Sequence, residues 1–395
     1  MNTDFVFTSE SVTEGHPDKL CDRISDAIVD AFLERDPYAR IVAECAAAKG
    51  VVFIAARFAA EASLDIPAVA RQVIHAVGYD EGEFNARDCG VLTSLVELPL
   101  DSRVSQDEGE MDEDALERLT AHNQVTVFGF ACDQTAALMP LPIWLAHALA
   151  RRLSVARREG ILPYLTPDAT TQVGVEYRER QPRRIHSLTV VVSQQSAASP
   201  NAMALRRDLT EHVILPVFET ESIRPDQRTR VFINPEGIKV GGGPAFHSGL
   251  TGRKTATDTY GGYARHSGSA LSGKDPLRID RVAAYAARYA AKNAAAAGLA
   301  RICEVQLSYS IGLAGPVGLQ VETFGTGTIA DGEIAHRLMT AFDFRLGGII
   351  RSFDLRHWPA RRQGGFYQHL AAYGQVGRLD LTLPWEGTEL APALR

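Results

Sequence analysis

Long apolar runs are missing from this sequence. Nowhere do about 18 apolar residues follow one another, so no membrane-spanning helix is expected. A basic excess is missing as well. Lys and Arg number 41 against 48 Asp and Glu, and the formal charge is −7. That balance argues against a nucleic-acid partner, and it requires any polyphosphate site to be a local basic cluster. Cysteine is scarce: Cys21, Cys45, Cys89, Cys132 and Cys303 stand apart with no C-x-x-C pair. This excludes a zinc ribbon or a disulfide frame and reads as reduced, core-filling thiols of a cytoplasmic protein. The opening MNTDFVFTSE has no basic segment followed by an apolar run, so no signal peptide is read there.

What is present is ordinary for a globular chain. Of 395 residues, 45% are hydrophobic and 23% charged, enough for roughly two to four domains with buried cores. Three long segments read as helices: 17–35 with Pro17 at N1, 142–158 after Pro140 and Pro142, and 276–298 with Asp275 as cap and Pro276 at N1. Each is followed by a hairpin pattern. The turns are read at Lys49-Gly50, around Pro182 and at Gly315-Pro316. Further helix candidates follow near 66–78, 201–217 and 333–343, then apolar runs near 89–96, 229–234 and 348–355 that read as strands. Helix, hairpin, helix, strand thus recurs three times at a spacing of roughly 120–140 residues, too long for a solenoid. The expected class is α+β: three similar domains in a pseudo-threefold arrangement, each a small mixed sheet covered by helices. The expected limits are 1–101, 120–233 and 234–395, with an acidic loop over 102–119 between the first two. The wider segment PLDSRVSQDEGEMDEDALERL, residues 99–119, reads equally as a mobile gate or a solvated linker.

The stretch GSALSGKD, Gly268 to Asp275, fits seven of the eight positions of a Walker phosphate loop. A Walker loop needs an apolar strand before its first glycine and a hydroxyl at its end. Here TDTYGGYARHS precedes it and Asp275 ends it, so that reading fits poorly. The ingredients of another phosphate site remain: Gly268 and Gly273 for backbone approach, Lys274 for charge, and a helix start. Arg253 and Lys254 lie upstream in LTGRK. Downstream, Arg278 in the first helical turn opposes the helix dipole unless an anion is near, whereas Arg288 and Lys292 read as a solvated face. At the N-terminus, EGHPDK sets His16, Asp18 and Lys19 at another helix start. Asp18 suits that position on electrostatics alone, or else a metal carboxylate, a phosphate lysine and an imidazole converge there.

These segments resemble the S-adenosylmethionine synthetase family over almost the whole chain. The carrying motifs are FTSESVTEGHPDKLCDRISDAIVDA, LMPLPIWLAH, FINPEG, GLTGRKTATDTYGGYARH and SGKDPLRIDRVAAYAARYAAKN, with AAYGQVGR and LPWE near the end. The resemblance implies attack by a sulfur on C5′ of ATP, with release of triphosphate and its hydrolysis to pyrophosphate and phosphate. It implies Mg2+ and K+, and a homodimer or homotetramer with sites between subunits. It assigns His16, Arg253, Lys254 and Lys274 to the phosphates, and Asp18 and Asp280 to magnesium. Glu44 falls to potassium, and Asp168 and Ala270, with Gly268 and Gly273, to the nucleotide. Residues 99–114 fall where the family keeps a gating loop.

The departures concern the acceptor. Where the family has a glutamate and an aspartate for the methionine ammonium, this chain has Arg57 and His247. Where a glutamine and a lysine meet the carboxylate, it has Leu98 and Arg278. Asn123 replaces an aspartate, Thr170 a phosphate lysine, and Lys239 an aromatic residue expected against adenine. An ammonium about 4 Å from Arg57 would be repelled by roughly 1–4 kcal/mol. The expectation is an adenosyltransferase whose small-molecule acceptor is more anionic than methionine. Two alternatives stand beside it: an ordinary synthetase with a rebuilt methionine pocket, and a non-catalytic nucleotide-binding homologue.

Overall fold

The computed structural model describes residues 4–103, 106–196 and 199–395. The first unit runs β1 (Phe5–Val12), α1 (Pro17–Arg35), β2 (Arg40–Ala48), β3 (Val51–Ala59), α2 (Ile66–Val77) and β4 (Gly90–Glu97). A short α3 (Glu113–Arg118) follows in the connection. The second unit runs β5 (Val125–Cys132), α4 (Leu141–Arg158), β6 (Leu165–Arg178), β7 (Gln181–Gln194), α5 (Ala202–Leu209), α6 (Leu215–Phe218) and β8 (Arg230–Ile233). A π-helical turn, Thr210–Ile214, joins α5 to α6. The third runs β9 (Gly249–Leu250), α7 (Thr255–Asp258), α8 (Ile279–Ala296), β10 (Ile302–Tyr309), β11 (Gly318–Glu322), α9 (Asp331–Ala341) and α10 (Leu346–Phe353). Short α11 (Trp358–Arg361) and α12 (Ala391–Leu394) close the chain.

The sheets do not follow these units. Their strand orders are β4-β3-β2-β9, β1-β6-β7-β8 and β11-β10-β5. Each unit therefore donates its first strand to the sheet of another. β1 pairs with β6, β5 with β10, and β9 with β2, which closes the ring. This exchange carries the start of each following segment across to a neighbouring unit, and it is what assembles the site described below. Close approach at one exchanged strand requires glycine: a Cβ on Gly249 would lie 2.2 Å from the Pro17 carbonyl carbon.

Local sequence accounts for most elements. α1 starts with Pro17 at N1 and buries Leu20, Ile24, Ala27, Ile28 and Phe32 on one face. Each large apolar side chain among them contributes about 1.5–3 kcal/mol. α2 is capped by Asp65 and ends on left-handed Gly78. The 49–50 turn stands as expected, with Lys49 at positive φ. All five cysteines are free and buried.

Four expectations are corrected. The second hairpin turns at Glu179-Arg180, both at positive φ, and Pro182 already lies in β7. α8 begins at Ile279 with Arg278 as its N-cap, because Asp275 is spent on the preceding turn, accepting from the Ile41 and Leu277 backbone N–H groups. The 348–355 run is helical: Leu346, Ile349, Ile350 and Phe353 recur at helical spacing and are all buried in α10. Among the described residues the third sheet consequently has only antiparallel pairings. Arg288 and Lys292 are not a solvated face; both are buried and share the Glu386 carboxylate.

Candidate functional site

The exchange of β1 delivers His16 to the second sheet. Val12 pairs with Thr170, and the next residue, Thr13, donates its N–H to the Ala169 carbonyl. His16 then caps α1, its Nδ1 accepting from the Asp18 N–H at 3.2 Å. Asp168 lies opposite. Its Oδ2 accepts from the Gly243 N–H at 2.9 Å and meets His247 Nε2 at 2.8 Å. The His16 and His247 rings stand 5.1 Å apart, centroid to centroid. Burial lowers the His16 pKa to about 4, so the ring is neutral at ordinary pH. The hydrogen bond to Asp168 raises that of His247. A cavity of about 370 Å3 opens here, lined among others by His16, Asp168, Thr170, Lys239, Phe246 and His247.

The exchange of β9 brings the cations of GLTGRK to the same place. The Leu250 N–H donates to Asp18 Oδ1 at 3.0 Å. Arg253 then stands 3.7 Å from Asp18 Oδ1, and Lys254 4.0 Å from Asp18 Oδ2 and 3.6 Å from Glu10. Lys19 does not join them. It is fully buried between Asp22 and Asp258, where burial would lower its pKa but the two carboxylates raise it. Its role is to fix α1 against α7, so the reading of Lys19 as a phosphate lysine is corrected.

A second group forms where β5 crosses to the third sheet. Asn123, just before β5, donates through Nδ2 to Asp280 Oδ1 at 2.8 Å. Lys274 Nζ lies 3.6 Å from Asp280 Oδ2. Burial lowers the Lys274 pKa. Gly268 and Gly273 both take positive φ in the loop that presents Lys274. A Cβ on Gly273 would lie 2.0 Å from the Ala43 carbonyl oxygen. Arg278 Nε is buried with no hydrogen-bond partner among the described residues. Ala270 packs against Gly252, next to Arg253.

Among the described residues, no hydrogen bond or ion pair joins the side chains of these two groups. Arg57 and Glu44 belong to neither: they lie exposed on one face of the first sheet, where Arg57 pairs with Val42 and Glu44 with Ala55. That face also exposes Val51, Phe53, Leu92, Val96 and Leu250. Leu98 follows β4, its N–H donating to the Phe58 carbonyl beside Arg57.

The segment 99–119 is tied down at many points, with residues 104 and 105 outside the described part. Arg356 and Glu108, both buried, form a two-pronged ion pair, with Nη2 to Oε1 at 2.5 Å. Arg103 meets Asp36 and Glu61, and Arg345 meets Glu113.

Sequence reasoning missed the Gly243 N–H that orients Asp168. The glycine run KVGGGP was visible, but nothing in it marks which amide points at a carboxylate. It also missed Arg281, whose fully buried ion pair with Asp26 holds the Gly273 loop, since Asp26 also accepts from the Gly273 N–H.

Comparisons with known proteins cover the whole chain. Family models of S-adenosylmethionine synthetase match in three pieces: the N-terminal domain at 4–99, the central domain at 118–238 and the C-terminal domain at 241–387. Similar curated proteins include the S-adenosylmethionine synthases of Synechococcus sp. (strain JA-3-3Ab) and Gloeobacter violaceus. Each is 47% identical, over 99% of this chain and 97% of its own length. That of Thermosynechococcus vestitus is 48% identical over 97% of this chain and 95% of its own.

Proposed function

This chain belongs to the S-adenosylmethionine synthetase family, and we propose that it is an adenosyltransferase whose acceptor is more anionic than methionine. A nucleophile on the acceptor attacks C5′ of ATP and forms the new bond there. The bond from C5′ to the triphosphate oxygen breaks, and the triphosphate is then hydrolysed to pyrophosphate and phosphate.

The leaving group gathers negative charge, so fixed cations around it lower the barrier. Arg253 and Lys254 near the α1 start and Lys274 before α8 would supply them, and neutral His16 would add a hydrogen-bond donor to the phosphates. Asp168, Ala270, Gly268 and Gly273 line the nucleotide's place, and Lys239 lies where the base would stack. Asp18 and Asp280 fit magnesium: each is buried, and the Oδ2 of each stands near one lysine, Lys254 at 4.0 Å and Lys274 at 3.6 Å, with no short hydrogen bond among the described residues. When bound, the ion would neutralise phosphate charge. Glu44 is the potassium candidate.

The observation that carries the acceptor reading is Arg278. Its buried, unpartnered Nε leaves a desolvated donor that an anion would satisfy. Arg57, Leu98, Asn123 and His247 complete the proposed pocket, but Arg57 lies on the exposed sheet face and His247 in the cavity beside His16. This separation, together with the apolar character of that face, supports a homodimer, or a homotetramer built from it, with sites between subunits. We keep the division at 1–101, 120–233 and 234–395, with 102–119 as the acidic linker between the first two and 99–114 as the candidate gating loop. We place the protein in the cytoplasm, on its five free thiols. No described helix is long and apolar enough to cross a membrane.

The names of the relatives favour a second reading, ordinary S-adenosylmethionine synthesis through a rebuilt pocket. Mass spectrometry of the protein with ATP, Mg2+ and K+, with and without L-methionine, separates the two. Stoichiometric S-adenosylmethionine at ordinary methionine levels supports the second reading. Slow pyrophosphate and phosphate release without it supports the first. Arg57→Glu should raise activity on L-methionine; a variant that loses such activity instead would overturn the proposed pocket.

A further inference from the structure

We propose that His16, Asp168 and His247 form a binding site for a borderline divalent transition metal, Zn2+ or Co2+ in kind, separate from the magnesium carboxylates. One ring nitrogen of each histidine and one Asp168 oxygen all lie within 4.8 Å of one another. In a tetrahedral site with bonds of about 2.0–2.1 Å, neighbouring ligand atoms stand roughly 3.3 Å apart. His247 Nε2 and Asp168 Oδ2, at 2.8 Å, are already near that spacing. The remaining closure is roughly 1.5 Å at most, within reach of side-chain torsions.

One donor is already held in place, since the Gly243 N–H fixes the Asp168 carboxylate, and each imidazole would turn an unprotonated ring nitrogen to the ion. A metal would displace the proton now shared by His247 and Asp168. Two imidazoles and one carboxylate suit zinc or cobalt and discriminate against magnesium, which takes oxygen ligands. The nearby cation Lys254 is offset by Glu10 and Asp18. The remaining coordination positions face the cavity, open to water or to an anionic donor of a bound molecule. The inference does not rest on the reading of the reaction above.

The test is a Co2+ titration of the chelator-treated full-length protein without nucleotide, followed by visible absorption. One equivalent should bind with d–d bands, yield to Zn2+, and resist excess Mg2+. His247→Ala should abolish the bands and weaken binding by at least about tenfold. His247→Asn, which keeps a polar group of similar reach, should do the same with far-UV circular dichroism unchanged. No binding to the unaltered chain would overturn the proposal. So would bands that persist in both variants, or displacement by Mg2+, which would assign the ion to Asp18 and Asp280.

Discussion

Asn123→Asp tests whether Asp280 is a metal carboxylate. In the structure, Asn123 Nδ2 donates to Asp280 Oδ1 at 2.8 Å. The substitution replaces a donor by a second anion at that distance. Two unit charges 2.8 Å apart repel by about 1.5 kcal/mol in water and about 6 kcal/mol at an effective dielectric of 20. Asn123 is exposed, so the new carboxylate can swing toward solvent and the lower figure governs. The lost hydrogen bond to a charged acceptor adds about 1.5 kcal/mol. In chelator, the variant should therefore unfold in urea with a stability lower by about 1.5–3 kcal/mol. Millimolar Mg2+ should restore most of this, because a cation between the two carboxylates turns repulsion into chelation, and it should stabilise the variant more than the parent. A variant as stable as the parent in chelator would refute the Asn123–Asp280 contact. Equal losses with and without Mg2+ would refute Asp280 as a magnesium ligand.

Two predictions concern the frame. Glu386 accepts from buried Arg288 at 2.9 and 3.0 Å and from Lys292 at 2.8 Å, so Glu386→Gln leaves two buried cations without an anion. It should cost about 3–5 kcal/mol by urea unfolding, and a cost under about 1 kcal/mol would sink the argument. His147 is buried against Ser11 Oγ, and burial holds its pKa well below 6.5. As pH falls below 6.5 the unfolded chain gains a proton that the folded chain refuses, so stability drops by up to about 1.4 kcal/mol per pH unit from this group. Urea midpoints between about pH 5 and pH 7 should flatten in His147→Gln; an unchanged slope would show that other groups carry the acid sensitivity.

The candidate site was legible in chemical content and not in arrangement. GHPDK, GLTGRK and SGKDP each show residues suited to phosphate and metal, because local pattern, a helix start or a glycine turn, marks them. Lys19 shows the limit: its spacing beside Asp18 suggested a shared role, yet i and i+1 on a helix point apart, and it turns inward to Asp22 and Asp258. Arg288 and Lys292 misled for a related reason. Burial of a cation depends on a distant anion, and Glu386 lies 98 positions beyond Arg288 and 94 beyond Lys292. The 348–355 run was ambiguous between strand and helix because short apolar segments carry little periodic signal.

The sequence alone determined the three recurring units, the existence of the long helices and the hairpins, the family resemblance and the set of charged side chains from which a site could be built. These are local properties, written in periodicity, caps and turn residues. Only the tertiary structure decided which of those side chains meet. The exchange of β1, β5 and β9 between sheets sets His16 beside Asp168, Leu250 and its cations beside Asp18, and Asn123 beside Asp280. Strand pairing joins residues far apart in the chain through backbone hydrogen bonds that any side chain can accompany. No local pattern therefore encodes the partner, and it is the packing of the three sheets that makes the choice.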